Sequence, residues 1–140
     1  DNRAKVLGYN IATEEWTVIH YPLTAPAIGW VGLSELVAHA GDVYFIERDN
    51  QHDARAVTKV ITRVPLSALD AMVGLGETLA VLEPELVVDL LPYLTSTGGY
   101  VLDKVEGLAI SDDGTMWVST DIDGVDDHSG ETMFFPITMP

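Results

Sequence analysis

The stretch Val105-Glu106-Gly107-Leu108-Ala109-Ile110-Ser111-Asp112-Asp113-Gly114-Thr115-Met116-Trp117-Val118-Ser119-Thr120 decides how the chain is read. Two runs rich in apolar residues flank Asp113-Gly114, a dipeptide suited to the positive φ angles of a tight hairpin turn. The spacing predicts a hairpin of Val105 to Ile110 against Thr115 to Thr120. With Asp113 and Gly114 as the two central turn residues, Glu106 falls opposite Asp121 and Leu108 opposite Ser119. Facing carboxylates repel one another unless a cation, a shared proton or a neighbouring Lys neutralises them.

The same grammar extends in both directions. Val6 to Ile11 and Trp16 to Tyr21 read as strands joined through Ala12-Thr13-Glu14-Glu15, and Leu33 to His39 pairs with Val43 to Glu47 around Gly41-Asp42. Val57 to Val64, Glu85 to Leu91 and Thr132 to Ile137 are further strands. Only Ser67 to Val73 carries helix signals, with Ser67 and Asp70 spaced as a capping box and Gly74 as a stop. The fold class is all-β with one short helix.

An internal repeat sets the architecture. Ser34-Glu35-Leu36-Val37-Ala38 matches Val105-Glu106-Gly107-Leu108-Ala109, and Val43-Tyr44-Phe45-Ile46 matches Thr115-Met116-Trp117-Val118. The offset is 71 residues at the glutamates and 72 at Asp49 and Asp121, which implies one residue inserted at the second turn. Two strands and the helix lie between the copies. Four-stranded antiparallel meanders are the blades of a β-propeller. The expected layout is a single partial propeller domain over 1–140: the end of one blade in 1–32, a complete blade in 33–103 and the start of the next in 104–140. That is about two blades, where a closed propeller needs about four or more. The chain is therefore expected to be a fragment of a larger propeller, or to complete itself with the remaining blades or by self-association. A small two-sheet β fold is the plainer alternative.

Composition narrows the function. The 140 residues carry 22 acids against 7 bases, a formal charge of −15, and no Cys. Hydrophobic residues make up 47% of the chain, enough to build a core and to argue against wholesale disorder. Such acidity repels phosphate backbones and anionic lipids, so no nucleic-acid or membrane partner is expected. Without Cys, thiolate zinc sites and cysteine nucleophiles are excluded. The longest uncharged stretch, Trp16 to Ser34, contains Pro22 and Pro26 and makes a poor membrane helix. The chain opens on Asp1 with no signal peptide, as a mature or excised piece of something longer would.

Nine of the acids lie between Asp103 and Glu131, where Lys104 is the only Lys or Arg. There Asp121-Ile122-Asp123-Gly124-Val125-Asp126-Asp127 places oxygen ligands at alternate positions, as hard cations such as calcium require. The match to an EF-hand loop fails at Val125 and Asp126. In the second hairpin a two-residue turn sets Glu35 opposite Arg48, an ordinary ion pair, and a three-residue turn sets it opposite Asp49. Glu47-Arg48-Asp49-Asn50 is a dense polar group at the end of an apolar strand. His20, His39, His52 and His128 show no metal-ligand spacing, and Trp16, Trp30, Trp117, Phe134 and Phe135 read as packing residues. Gly32-Leu33-Ser34-Glu35-Leu36 lacks the second Gly of a nucleophile elbow.

At these residues the sequence resembles a known group. Val105 to Gly114, continuing through Trp117-Val118 to Asp121 and Gly124, is similar to the Glu-Gly strand and acidic strand end of β-propeller phytases. Val43 to Asn50 resembles the bacterial phytase-like family described as having esterase-like activity. The resemblance implies a secreted or periplasmic, calcium-dependent phosphomonoesterase acting on a phosphorylated small molecule at a propeller rim. Carried over, Glu106 and Asp121 become metal ligands, with Glu35, Asp49 and Asp123 as weaker candidates, and Arg48 and Lys104 contact substrate phosphate. Metal ions there neutralise carboxylates and phosphate and acidify a bound water. The chain departs from the phytase pattern at Ser119 and Thr120, where consecutive glutamates are expected. Two rival readings stand beside this one: a non-catalytic acidic module with structural calcium or a protein-interaction role, and an acid-rich protein adapted to high salt.

Overall fold

In the computed structural model, residues 2–96, 101, 104–121 and 132–138 are described. They form three antiparallel sheets. The first pairs β1 (Arg3–Asn10) with β2 (Glu15–Pro22) and gains the two-residue β6 (Val73–Gly74). The second is a four-stranded sheet of β3 (Val31–His39), β4 (Asp42–Asp49), β5 (Lys59–Pro65) and β7 (Glu85–Asp89), in that order. The third lays β8 (Val105–Ile110), β9 (Thr115–Thr120) and β10 (Phe134–Thr138) side by side. The chain is all-β, as its alternating apolar patterns require.

The second sheet is the middle layer, and β4 explains why. Every residue from Val43 to Asp49 is buried. Side chains alternate across a strand, so one strand can feed two cores. Val43 and Phe45 join Val6, Ile19 and Tyr21 in a cluster against the first sheet. Tyr44 and Ile46 join Val105, Leu108, Met116 and Val118 in a cluster against the third. Phe45 and Ile46 are wholly buried; side chains of this size each contribute roughly 1.5–3 kcal/mol. A strand buried on both faces reads as a near-continuous apolar run, as Val43-Tyr44-Phe45-Ile46 does.

Several local expectations are corrected. The Ser67 to Val73 segment is a 3-10 helix, Leu66–Ala71, entered through Pro65 with no side-chain cap, so the Ser67–Asp70 box is not formed. Gly74 does not stop that helix; it lies in β6, paired to Thr17. Val57 and Thr58 stay out of β5 because their amides donate to the Asp49 carboxylate. β7 ends at Asp89, whose Oδ1 accepts the Leu91 amide. A short helix follows there, α1 (Leu91–Leu94), with Pro92 in its first turn, where a missing N–H costs nothing.

Both hairpin registers also differ from expectation. The second turns on Ala40 and Gly41, both at positive φ, with His39 facing Asp42. The third closes through the three residues Asp112, Asp113 and Gly114, with Ser111 and Thr115 hydrogen-bonded across it. Each first strand then carries a β-bulge. Ser34 is the extra residue in β3, between the pairs Leu33–Glu47 and Glu35–Ile46. Glu106 is the extra residue in β8, between Val105–Thr120 and Gly107–Ser119. Glu106 therefore does not face Asp121, and Glu35 faces Ile46 rather than Arg48 or Asp49. The bulges also realign the repeat, matching Ser34 with Glu106 and Arg48 with Asp121.

Candidate functional site

The polar end of β4 is built by the same alternation that builds its apolar part. Glu47 points to the first sheet, where its carboxylate accepts the Tyr21 hydroxyl at 2.9 Å and the Thr24 amide. Burial pushes the Tyr21 phenol well above its ordinary pKa, and the neighbouring Glu47 charge adds to that rise. Arg48 points to the third sheet, where its Nη2 donates to Glu106 Oε1 at 2.7 Å. Its guanidinium carbon lies 5.2 Å from the centre of the Trp30 ring, a cation–π distance. Asp49 stays within its own sheet: Oδ2 accepts the amides of Val57 and Thr58, and Oδ1 accepts the Gln51 amide. Lys59, wholly buried, lies 3.0 Å from Asp49 Oδ1 and also donates to the Asp49 carbonyl. Asn50 Oδ1 accepts the Trp30 amide. The Glu-Arg-Asp-Asn run is thus a fastening that joins all three sheets at one edge.

These contacts sort the candidates. Asp49 is a structural carboxylate: burial alone raises its pKa, but the Val57 amide, the Lys59 ammonium and the Thr58 amide outweigh that and hold it below the ordinary range. Glu35 Oε1 accepts its neighbour's amide, Leu36. It lines a cleft of about 540 Å³ with Gly107, Leu108, Trp117 and Phe134, and no hydrogen bond or ion pair among the described residues joins it to Arg48 or Glu106. Glu106 and Arg48 do meet, although the sequence placed them on separate hairpins. Their side chains are 35% and 8% exposed, so Glu106 is the solvent-facing partner and Arg48 the buried one. Asp121 is exposed just past β9, and its amide donates to the Lys104 carbonyl. The hairpin thereby brings the Lys104 and Asp121 backbones together beside the Glu106 bulge. Asp123 and His128 lie outside the described residues.

The Glu-Gly pair has a packing cause. The bulge at Glu106 sets Gly107 against Ser119, and a Cβ on Gly107 would overlap the Ser119 hydroxyl. The bulge turns one carboxylate toward Arg48, and the glycine lets β9 close behind it. The sequence reading missed Trp30, which covers Arg48, and Lys59, which neutralises Asp49. A lysine inside the β-branched run Val57 to Val64 is the signal that pointed to the latter.

Calcium takes about six to eight oxygens. Among the described residues no three Asp, Glu or His side chains gather as a metal site. Asp49 is filled by its own sheet, and Glu106 already carries a guanidinium. The described residues thus do not complete such a shell. No described helix is long and apolar enough to cross a membrane.

A family model described as phytase-like, esterase-like activity of phytase, matches residues 1–124, well over half of the chain. No curated protein and no solved structure matches it.

Proposed function

The chain belongs to the phytase-like family, and on that footing we propose that it forms part of a phosphomonoesterase whose substrate phosphate is received at the Arg48–Glu106 edge. One observation carries the reading: Arg48 and Glu106, 58 residues apart, meet at 2.7 Å across two sheets beside Lys104 and Asp121. A guanidinium presents a planar fork that suits phosphate oxygens. Here that fork is occupied by a carboxylate, so phosphate competes with Glu106 for Arg48. In this proposal Glu106, Asp121 and Asp123 would be the residues that hold calcium, which would supply positive charge against their carboxylates, and Arg48 and Lys104 would contact the phosphate.

Completion by further blades belongs to the same proposal. The outer faces of the first and third sheets carry the ring pairs Tyr9–Trp16 and Trp117–Phe134, all partly exposed, where further sheets of a propeller would pack. Secretion or periplasmic residence fits an enzyme that relies on abundant calcium.

Turnover of p-nitrophenyl phosphate and of p-nitrophenyl acetate, each with calcium or with chelator, tests the reading on the full-length parent. The expected result is calcium-dependent phosphate release that falls sharply in Arg48→Met. Acetate hydrolysis alone, unaffected by calcium, would replace phosphoester chemistry with carboxylester chemistry.

A further inference from the structure

We propose that the cleft beside Glu47 binds a small organic cation, a primary ammonium on a short apolar stem. Of the three charged residues that end β4, Arg48 is answered by Glu106 and Asp49 by Lys59. Glu47 is only 3% exposed, and none of the ion pairs among the described residues includes it. Its hydrogen-bond donors, the Tyr21 hydroxyl and the Thr24 amide, are both neutral. The Tyr21 oxygen also meets Thr62 Oγ1 at 2.7 Å; with the phenolic proton given to Glu47, Thr62 is the donor there. A carboxylate offers about four acceptor positions, so two remain. A buried charge without an opposite charge is the condition that buried groups in proteins are built to avoid.

Glu47 lines a cleft of about 370 Å³ between the end of β2 and the outer strands of the second sheet. Val57 and Leu86, 55% and 66% exposed, stand at its mouth, and Glu47 and Thr62 are the deep groups. Pro22 and Val60 add apolar wall. A bare divalent ion needs about six to eight oxygens, more than the side chains of Thr24, Glu47, Thr58 and Thr62 supply, and the remaining walls are carbon. An ammonium needs a few acceptors, and its alkyl stem is buried by those same walls. The formal charge of −15 concentrates cations around the chain and excludes anions. The cleft lies on the face of β4 opposite Arg48, so this site is separate from the phosphate edge.

Calorimetric titration of n-butylammonium into the full-length parent tests the proposal, with n-butanol as the neutral isostere. Saturable binding is expected for the ammonium, at least about tenfold tighter than for the alcohol. Glu47→Gln should weaken it at least about tenfold. Should that variant fail to fold, Val57→Trp decides: it fills the mouth from a half-exposed position, keeps the Tyr21–Glu47 contact and should abolish binding. No saturable heat in the wild type, equal binding of n-butanol, or unchanged binding in Val57→Trp would overturn the proposal.

Discussion

Arg48 on β4 and Glu106 in the β8 bulge join the second sheet to the third through a 2.7 Å charge-assisted hydrogen bond. The guanidinium is buried beneath Trp30, and the carboxylate is the more exposed partner. The bond thus fastens two layers, and under the proposed function it sets Glu106 in competition with an incoming phosphate for Arg48. A carboxylate in contact with an arginine lowers the affinity for any incoming anion until its own charge is neutralised.

Gly107→Ala should destabilise the chain by about 1–3 kcal/mol, because its methyl overlaps the Ser119 hydroxyl in a closed register. Adding Ser119→Ala removes that hydroxyl and should restore most of the loss. Paired thermal melts of the single and double variants check this, and additive losses would contradict the packing account.

Asp49 contributes to acid sensitivity. Its folded-state pKa lies below the unfolded value of about 3.9, so its stabilisation is complete above about pH 4 and is lost as pH falls through the folded value. Asp49→Asn removes the carboxylate that faces Lys59 at 3.0 Å and should cost about 1–3 kcal/mol near neutral pH. The gap between wild type and variant should narrow in melts run at progressively lower pH below about 4. A constant gap would mean that Asp49 is not held ionised by these contacts.

Gly29 adopts a φ of +70, and a Cβ there would overlap Asn50 Oδ1, the acceptor of the Trp30 amide. Gly29→Ala should lower stability by about 1–3 kcal/mol and loosen Trp30 from Arg48. Urea melts give the first, and altered quenching of Trp30 fluorescence in a variant lacking Trp16 and Trp117 gives the second. Unchanged values in both would show that the loop has room for a side chain.

Much of the architecture was legible because strands and turns announce themselves locally. Alternation along Val6 to Tyr21 and Val105 to Thr120 gave the hairpins, whereas the burial of Val43 to Ile46 on both faces emerged only from the packing of the three sheets. Register was not legible. The repeat did give the one-residue difference between the turns Ala40-Gly41 and Asp112-Asp113-Gly114, but not which residues form them, nor the bulge near the far end of each first strand that shifts the pairing again. Each such step moves a side chain to another partner, and so Glu106 faces Arg48 rather than Asp121. The Arg48–Glu106 contact depends on how two sheets pack, which no spacing within either hairpin encodes. The polar density of Glu47 to Asn50 was visible, but its division among three sheets follows only from the burial of β4 on both faces.

The most direct test is calorimetric titration of phenyl phosphate, with and without calcium, into wild type, Arg48→Met and Glu106→Gln. The account predicts that wild type binds only with calcium, that Glu106→Gln binds without it, and that Arg48→Met binds in neither condition. Calcium-independent binding by wild type, or undiminished binding by Arg48→Met, would contradict the assignment of Arg48 as a phosphate-receiving group held in check by Glu106.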